Sequence, residues 1–222
     1  MTADLFSDLL DLKNFDYSDE DQRAAIARHE EGKKAKAIAV KTSRLELRRA
    51  KSEAVLAEIL PADLEDGMSY HVISHGDIDA LSYLMHIAKT RPLKTLTLST
   101  WCMAMPDVQW LGEQLHSGRI GHIHFCLGEI FPGQYGDEYD LIVAFERAGL
   151  CKLTIARNHS KLMVASNPDD GYYIAIEGSA NVNTNPRIEQ TALHRSKDLH
   201  DFYVDFFAGI KDIDASRHKK AA

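Results

Sequence analysis

Two short stretches hold the residues best suited to chemistry: Asn158-His159-Ser160-Lys161 and, after a turn-rich insert, Glu177-Gly178-Ser179-Ala180-Asn181. An imidazole is both a nucleophile and a proton carrier near neutral pH, and an ammonium two positions away supplies positive charge. On a strand, His159 and Lys161 project from the same face, because alternate residues share a side. Gly178 lets the backbone come close to a ligand, while Ser179 and Asn181 add a hydroxyl and an amide that donate to anionic oxygens. A nucleophile, a cation and neutral donors together suit attack at phosphorus, with the developing charge met by fixed donors rather than by a metal ion. No cofactor is needed for such a reaction. H-x-K alone says little; followed by G-S-A-N it is a specific signal.

At these residues the chain resembles the phospholipase D-like superfamily, whose HKD signature reads H-x-K-x-x-x-x-D followed by G-S-x-N, and it looks like a single-repeat, nuclease-type member. The position of the signature's Asp holds Ser166, and Asn167-Pro168-Asp169-Asp170-Gly171 lengthens the gap to Gly178. Asp169 or Asp170 would replace the missing acid only if that hairpin folded back toward Lys161. The resemblance implies catalytic roles for His159, Lys161, Ser179 and Asn181, and for Glu189 as the acid that orients the histidine. It also implies a phosphohistidine intermediate. The sequence holds one H-x-K followed by G-S-x-N, and single-repeat members build their site from two chains. A homodimer is therefore expected, with His159 facing its mate across a twofold axis.

The elements that must position these residues follow from periodicity. Strands are expected over 69–75, 93–100, 122–127, 152–156, 159–165, 172–177 and 188–193, with helices starting near Asp77 and spanning 108–115, 139–148 and 199–210. Asn167-Pro168-Asp169-Asp170-Gly171 reads as a hairpin turn. Strands alternating with helices imply crossover connections and an α/β class. With the resemblance, which covers roughly residues 64–212, the expectation is a phospholipase D-like mixed, largely parallel sheet flanked by helices, over residues 62–222. Ligands in such sheets lie at the carboxyl ends of parallel strands, so His75, Thr100 and Gly178 are expected to face substrate. Trp101 either fills core or stacks on a base, and core is the favoured reading.

Residues 1–61 read as a separate, partly basic helical arm. Ser18-Asp19-Glu20-Asp21 is a helix start, Gly32 divides the segment, Pro61 closes it, and cations from Arg23 to Lys51 outnumber acids. It is either a solvated helical arm or dimer-packing helix, or its basic face is a contact for a nucleic-acid backbone. The whole chain of 222 residues carries a net charge of −7, which argues against a generally basic nucleic-acid coat. Neither a run long enough to cross a bilayer nor a basic region followed by an apolar core is found at the start, so a cytoplasmic location without membrane contact is expected. Cys102, Cys126 and Cys151 read as reduced core thiols. His122, His124 and Cys126 alternate on one strand and offer three ligand atoms, but adjacent ligands on a straight strand rarely surround an ion, and no metal is expected.

These readings converge on a metal-independent phosphodiesterase, with nucleic acid as substrate. The competing reading is a catalytically inactive module of the same fold that binds nucleic acid or a protein partner. A lipid-acting enzyme is the third, disfavoured by the absence of a membrane-binding device.

Overall fold

The computed structural model describes residues 44–183 and 186–214. Most of the arm expected over 1–61, including Gly32 and the basic residues up to Lys41, lies outside the described residues. Its described part is helix α1, Arg44–Ile59. This helix packs on the domain, with Leu56 fully buried. Arg48 Nε donates to Asp79 at 2.8 Å, and Arg49 Nη2 donates to Asp107 at 2.6 Å. No helix among the described residues is long and apolar enough to cross a membrane.

The remaining elements are strands β1 (Ser69–Ser74), β2 (Leu93–Thr100), β3 (Ile120–Gly128), β4 (Cys151–Ala156), β5 (Leu162–Asn167), β6 (Tyr172–Gly178) and β7 (Glu189–His194), and helices α2 (Ala80–Thr90), α3 (Met105–His116), α4 (Phe131–Gln134), α5 (Gly136–Arg147) and α6 (Lys197–Ala208). The strands form one sheet in the order β1-β7-β6-β5-β2-β3-β4. The fold is thus α/β with a mixed sheet. The largely parallel arrangement needs correction. Only β2 with β3 and β3 with β4 pair in parallel, whereas β5 runs against β2 and β6, and β7 runs against β6 and β1. β1, β2, β3, β4 and β6 still share one direction. The hairpin strand β5 and the returning β7 are interleaved among them, and β1 is displaced to the far edge.

Both faces are built by simple patterning. On one face, Leu96, Leu98, Phe125, Met163 and Ile176 meet α2, α3 and α5 in the main core. α2 contributes Leu81, Leu84, Met85 and Ala88, an apolar stripe at helical spacing. On the other face, Cys126, Leu162, Val164 and Ala175 pack against Phe207 of α6. α6 starts at Ser196, whose hydroxyl accepts from Leu199 N–H at 3.3 Å. β5, buried along its length, reads as an unbroken apolar run at its start because both of its faces are covered.

The β5–β6 connection is a 3₁₀ turn over Pro168–Asp170, closed by Gly171 at φ 68°, a left-handed conformation that glycine adopts without penalty. β5 begins at Leu162 rather than at His159. Asn158 is the cause: its Oδ1 accepts from Ser160 N–H at 3.0 Å, a side-chain turn that takes the place of a ladder bond. His159 and Lys161 are therefore in a loop and not on one face of a strand.

Candidate active site

The carboxyl ends of β1, β2, β3, β4 and β6 and the amino ends of β5 and β7 meet at one end of the sheet. His159, Lys161, Gly178, Ser179, Asn181 and Glu189 all reach this end, as do His75 and Thr100, whereas Ser166 and the β5–β6 turn lie at the other. The loop before β5 is braced from below. Asn158 Nδ2 donates to Ser99 Oγ and to the Cys126 carbonyl, each at 2.8 Å. Ser160 Oγ lies 2.5 Å from Ser99 Oγ and 2.7 Å from Asn158 Oδ1. Held by this network, His159 is exposed.

The imidazole rests near Trp101, with ring centroids 5.4 Å apart and planes tilted by 53°. Trp101 is half-buried and touches the site, so it is not simply core. It lies over Gly128, where a Cβ would come within 2.5 Å of its Cδ1. Glycine at the end of β3 is thus what admits the indole. Lys161 Nζ is 2.8 Å from His159 Nδ1 and 3.4 Å from Nε2. An ammonium aligned with the in-plane lone pair of Nδ1 would sit about 5 Å from Nε2, so the cation leans over the ring. Nζ also donates to the His159 carbonyl at 2.6 Å. Partial burial lowers the pKa of Lys161, against the pull of Cys102 and Glu189, which favour its charged form.

Across β6, Gly178 N–H donates to the Lys161 carbonyl at 3.1 Å. The close approach at Gly178 is made by β7: a Cβ there would lie 3.3 Å from the Gln190 carbonyl oxygen. Ser179 Oγ donates to the Glu189 carboxylate in a very short contact and accepts from Gln190 N–H at 3.0 Å. Its hydroxyl is thus engaged in holding Glu189. Glu189 is near enough to Lys161 to raise the affinity of that amine for its proton. Asn181 Oδ1 accepts from Trp101 N–H at 3.3 Å, which leaves the Nδ2 end as the donor of this amide.

Two positions expected to face substrate behave differently. Thr100 is fully buried. Its single proton goes to the Cys102 carbonyl at 2.9 Å, and its oxygen accepts from Val182 N–H at 3.1 Å. It supports the loop that carries Asn181 and does not line a cleft. His75 is exposed at the end of β1, on the same rim, but β7 and β6 stand between it and the start of β5. The glycine beside it, Gly76, has φ 81° and lies so close to Pro186 that a Cβ would fall 2.5 Å from the Pro186 backbone.

The missing acid is not recovered from the hairpin. Asp169 pairs with Lys94 at 3.1 Å and Asp170 with Arg91 at 3.2 Å, at the opposite end of the sheet from Lys161. Ser166 is 2% exposed and 2.7 Å from Thr95 Oγ1, about 13 Å of strand beyond Leu162. The carboxylate near Lys161 is that of Glu189.

Cys102 is a site neighbour that sequence reasoning assigned to core. Its thiol is buried, raised in pKa by that burial, hydrogen-bonded to Tyr135 and close enough to Lys161 to feel its charge. Cys126 and Cys151 are also free and buried. Along β3, His124 Nε2 is 2.9 Å from Thr154 Oγ1 and 3.3 Å from Cys126 Sγ. Burial pushes the Cys126 thiol up to about 12 and the His124 imidazolium down to about 4. Among the described residues, no group of three or more His, Cys, Asp or Glu is disposed to hold a metal ion.

No family model matches the sequence, and no curated protein matches it. Solved structures that the chain matches include TrmBL2, an archaeal chromatin protein with a novel mode of DNA binding, at 9% identity and a TM-score of 0.47, covering 85% of this chain and 65% of that one. The polyphosphate kinase of Porphyromonas gingivalis is similar at 15% identity and a TM-score of 0.47, over 66% of this chain and 27% of the enzyme. A phosphatidylserine synthase of Haemophilus influenzae follows at 12% identity and a TM-score of 0.46, over 63% and 37%. This chain spans less than two thirds of the length of each of these proteins.

Proposed function

We propose that the protein is a phospholipase D-like phosphodiesterase, a nuclease that works without a metal ion at a site shared by two copies of the chain. The observation that carries this reading is an exposed imidazole, His159, in contact with the Lys161 ammonium at the sheet end where Asn181 and Glu189 also meet. In the proposed reaction a ring nitrogen of His159 attacks phosphorus, a P–N bond forms, and the bond to the leaving oxygen breaks. The leaving oxygen takes a proton from the partner's His159. Water then attacks the phosphohistidine, giving its proton to that imidazole as the P–N bond breaks. Lys161 and the Asn181 amide hold the nonbridging oxygens, and Ser179 acts through Glu189 as a positioning residue.

The test is cleavage of single- and double-stranded nucleic acid in excess EDTA. Wild type is expected to retain activity, and His159→Ala to lose it by about 10⁴-fold or more, with an acid-labile phosphoenzyme trapped only in wild type. Activity that EDTA abolishes, or that survives His159→Ala, would overturn the reading. The alternative, an inactive module that binds nucleic acid, is favoured by the serine at the motif's acid position. Tight binding without turnover in the same assay would select it.

A further inference from the structure

A cleft of about 730 Å³ opens beside Lys161, between α6 and the ends of β4, β5 and β6. That size suits a small-molecule site. Its lining has two characters. Arg157 and Lys161 bring positive charge to the side nearest His159, and Asn158, Gln190 and Glu177 bring polar side chains. The opposite wall is aromatic. Phe202 and Phe206 are each 62% exposed and stand one turn apart on α6, which puts both rings on one face. Tyr203 completes this wall, its hydroxyl fixed to Glu177 Oε1 at 2.7 Å.

This combination narrows the occupant. An acyl chain would cover the phenyl rings but desolvate the Arg157 and Lys161 cations and the Gln190 amide without offering them a partner. A phosphate alone would use the cations and ignore the rings. A nucleobase offers a flat π face for phenylalanine and a hydrogen-bonding edge for Gln190 or for Oε2 of Glu177, and its attached phosphates match Arg157 and Lys161 in charge. We propose that the cleft takes one unstacked nucleobase, next to the phosphate held at His159, and so selects single-stranded or unpaired nucleic acid. A base inside a duplex has both faces covered and its edge paired, and must be extruded before it can enter. The inference rests on the phosphodiesterase reading for the phosphate end of the ligand, and Phe202 and Phe206 are its specificity residues.

Binding separates the two ideas, because it needs no turnover. His159→Ala, in EDTA, is titrated with a short labelled single strand, with its duplex, and with an abasic strand of equal length. The single strand is expected to bind about tenfold or more tightly than either of the others, and Phe202→Ala with Phe206→Ala to erase that advantage while abasic binding stays unchanged. Both side chains are largely exposed, so truncation leaves the core intact, and Phe206→Trp is expected to keep the preference. Equal binding of normal and abasic strands overturns the proposal. So does a double substitution that weakens both equally while splitting a dimer, since the rings then serve a second copy. Base-dependent binding without any cleavage keeps this cleft and removes the phosphodiesterase chemistry. Cleavage of normal and abasic strands at equal rates does the reverse.

Discussion

Lys161 is the side chain through which pH enters the proposed reaction. Burial lowers its pKa, so the ammonium is lost at lower pH than for an ordinary lysine, and phosphate binding weakens as the proton leaves. The Glu189 carboxylate opposes this shift. Glu189→Gln is therefore expected to move the alkaline limb of kcat/KM to lower pH, measured as a pH–rate profile. Lys161→Met should cost about a hundredfold or more in kcat. Ser166 yields the opposite kind of expectation. Restoring the signature with Ser166→Asp would bury a carboxylate on β5 far from Lys161, so it should gain no activity and cost about 2 kcal/mol of stability, read by denaturant unfolding. An unchanged midpoint, or a faster enzyme, would contradict the placement of that residue. From sequence alone Ser166 is a weakened brace for Lys161; in the folded chain it faces Thr95 and braces nothing in the site.

Among the elements, α1 is joined to the domain by charge as well as by Leu56. Asp79 stands at the position just before α2 and Asp107 lies in the first turn of α3, and each receives an arginine from α1. Burial raises Asp107 to about 6, with Arg49 pulling it back down. A folded-state pKa above the unfolded one means that the folded chain holds this proton more tightly, so its contribution to stability is full below the unfolded value and is lost as pH rises through about 6. Arg49→Leu leaves the carboxylate without its partner and should cost about 3 kcal/mol near pH 8. Near pH 5 the cost should be much smaller, since the protonated acid needs no counter-charge. Thermal unfolding at the two pH values measures the difference, and equal losses would refute the account. The boundaries of β2, β4, β6 and α6 were legible from alternation and helical spacing. The start of β5 was not, because the Asn158 turn that delays it depends on Ser99 and the Cys126 carbonyl on neighbouring strands.

At the scale of the molecule, a chain with one H-x-K followed by G-S-x-N, and so one site histidine, calls for a second copy if the leaving oxygen is to be protonated by histidine. The proposed reaction thus expects specific activity to fall on dilution, in step with a twofold drop in mass by sedimentation. Activity that stays constant in a strictly monomeric sample would exclude the shared site. The same scale explains why the sheet was only half legible. Local patterns define strands and their covered faces, but not their neighbours. β1 and β2 are joined by one helix and share a direction, yet β7, β6 and β5 lie between them.

By itself, the sequence determined the types of chemistry available and the elements that carry them, because both depend on residues close together along the chain. It placed a histidine, a lysine and an amide in two short stretches and marked the strands around them. Only the tertiary structure decided which carboxylate stands near Lys161, that Trp101 touches His159 while Thr100 is buried, and that Phe202 and Phe206 wall a cleft beside the site. Those are contacts between strands and helices distant in sequence, set by sheet order and by which face each helix covers, and no local spacing encodes them.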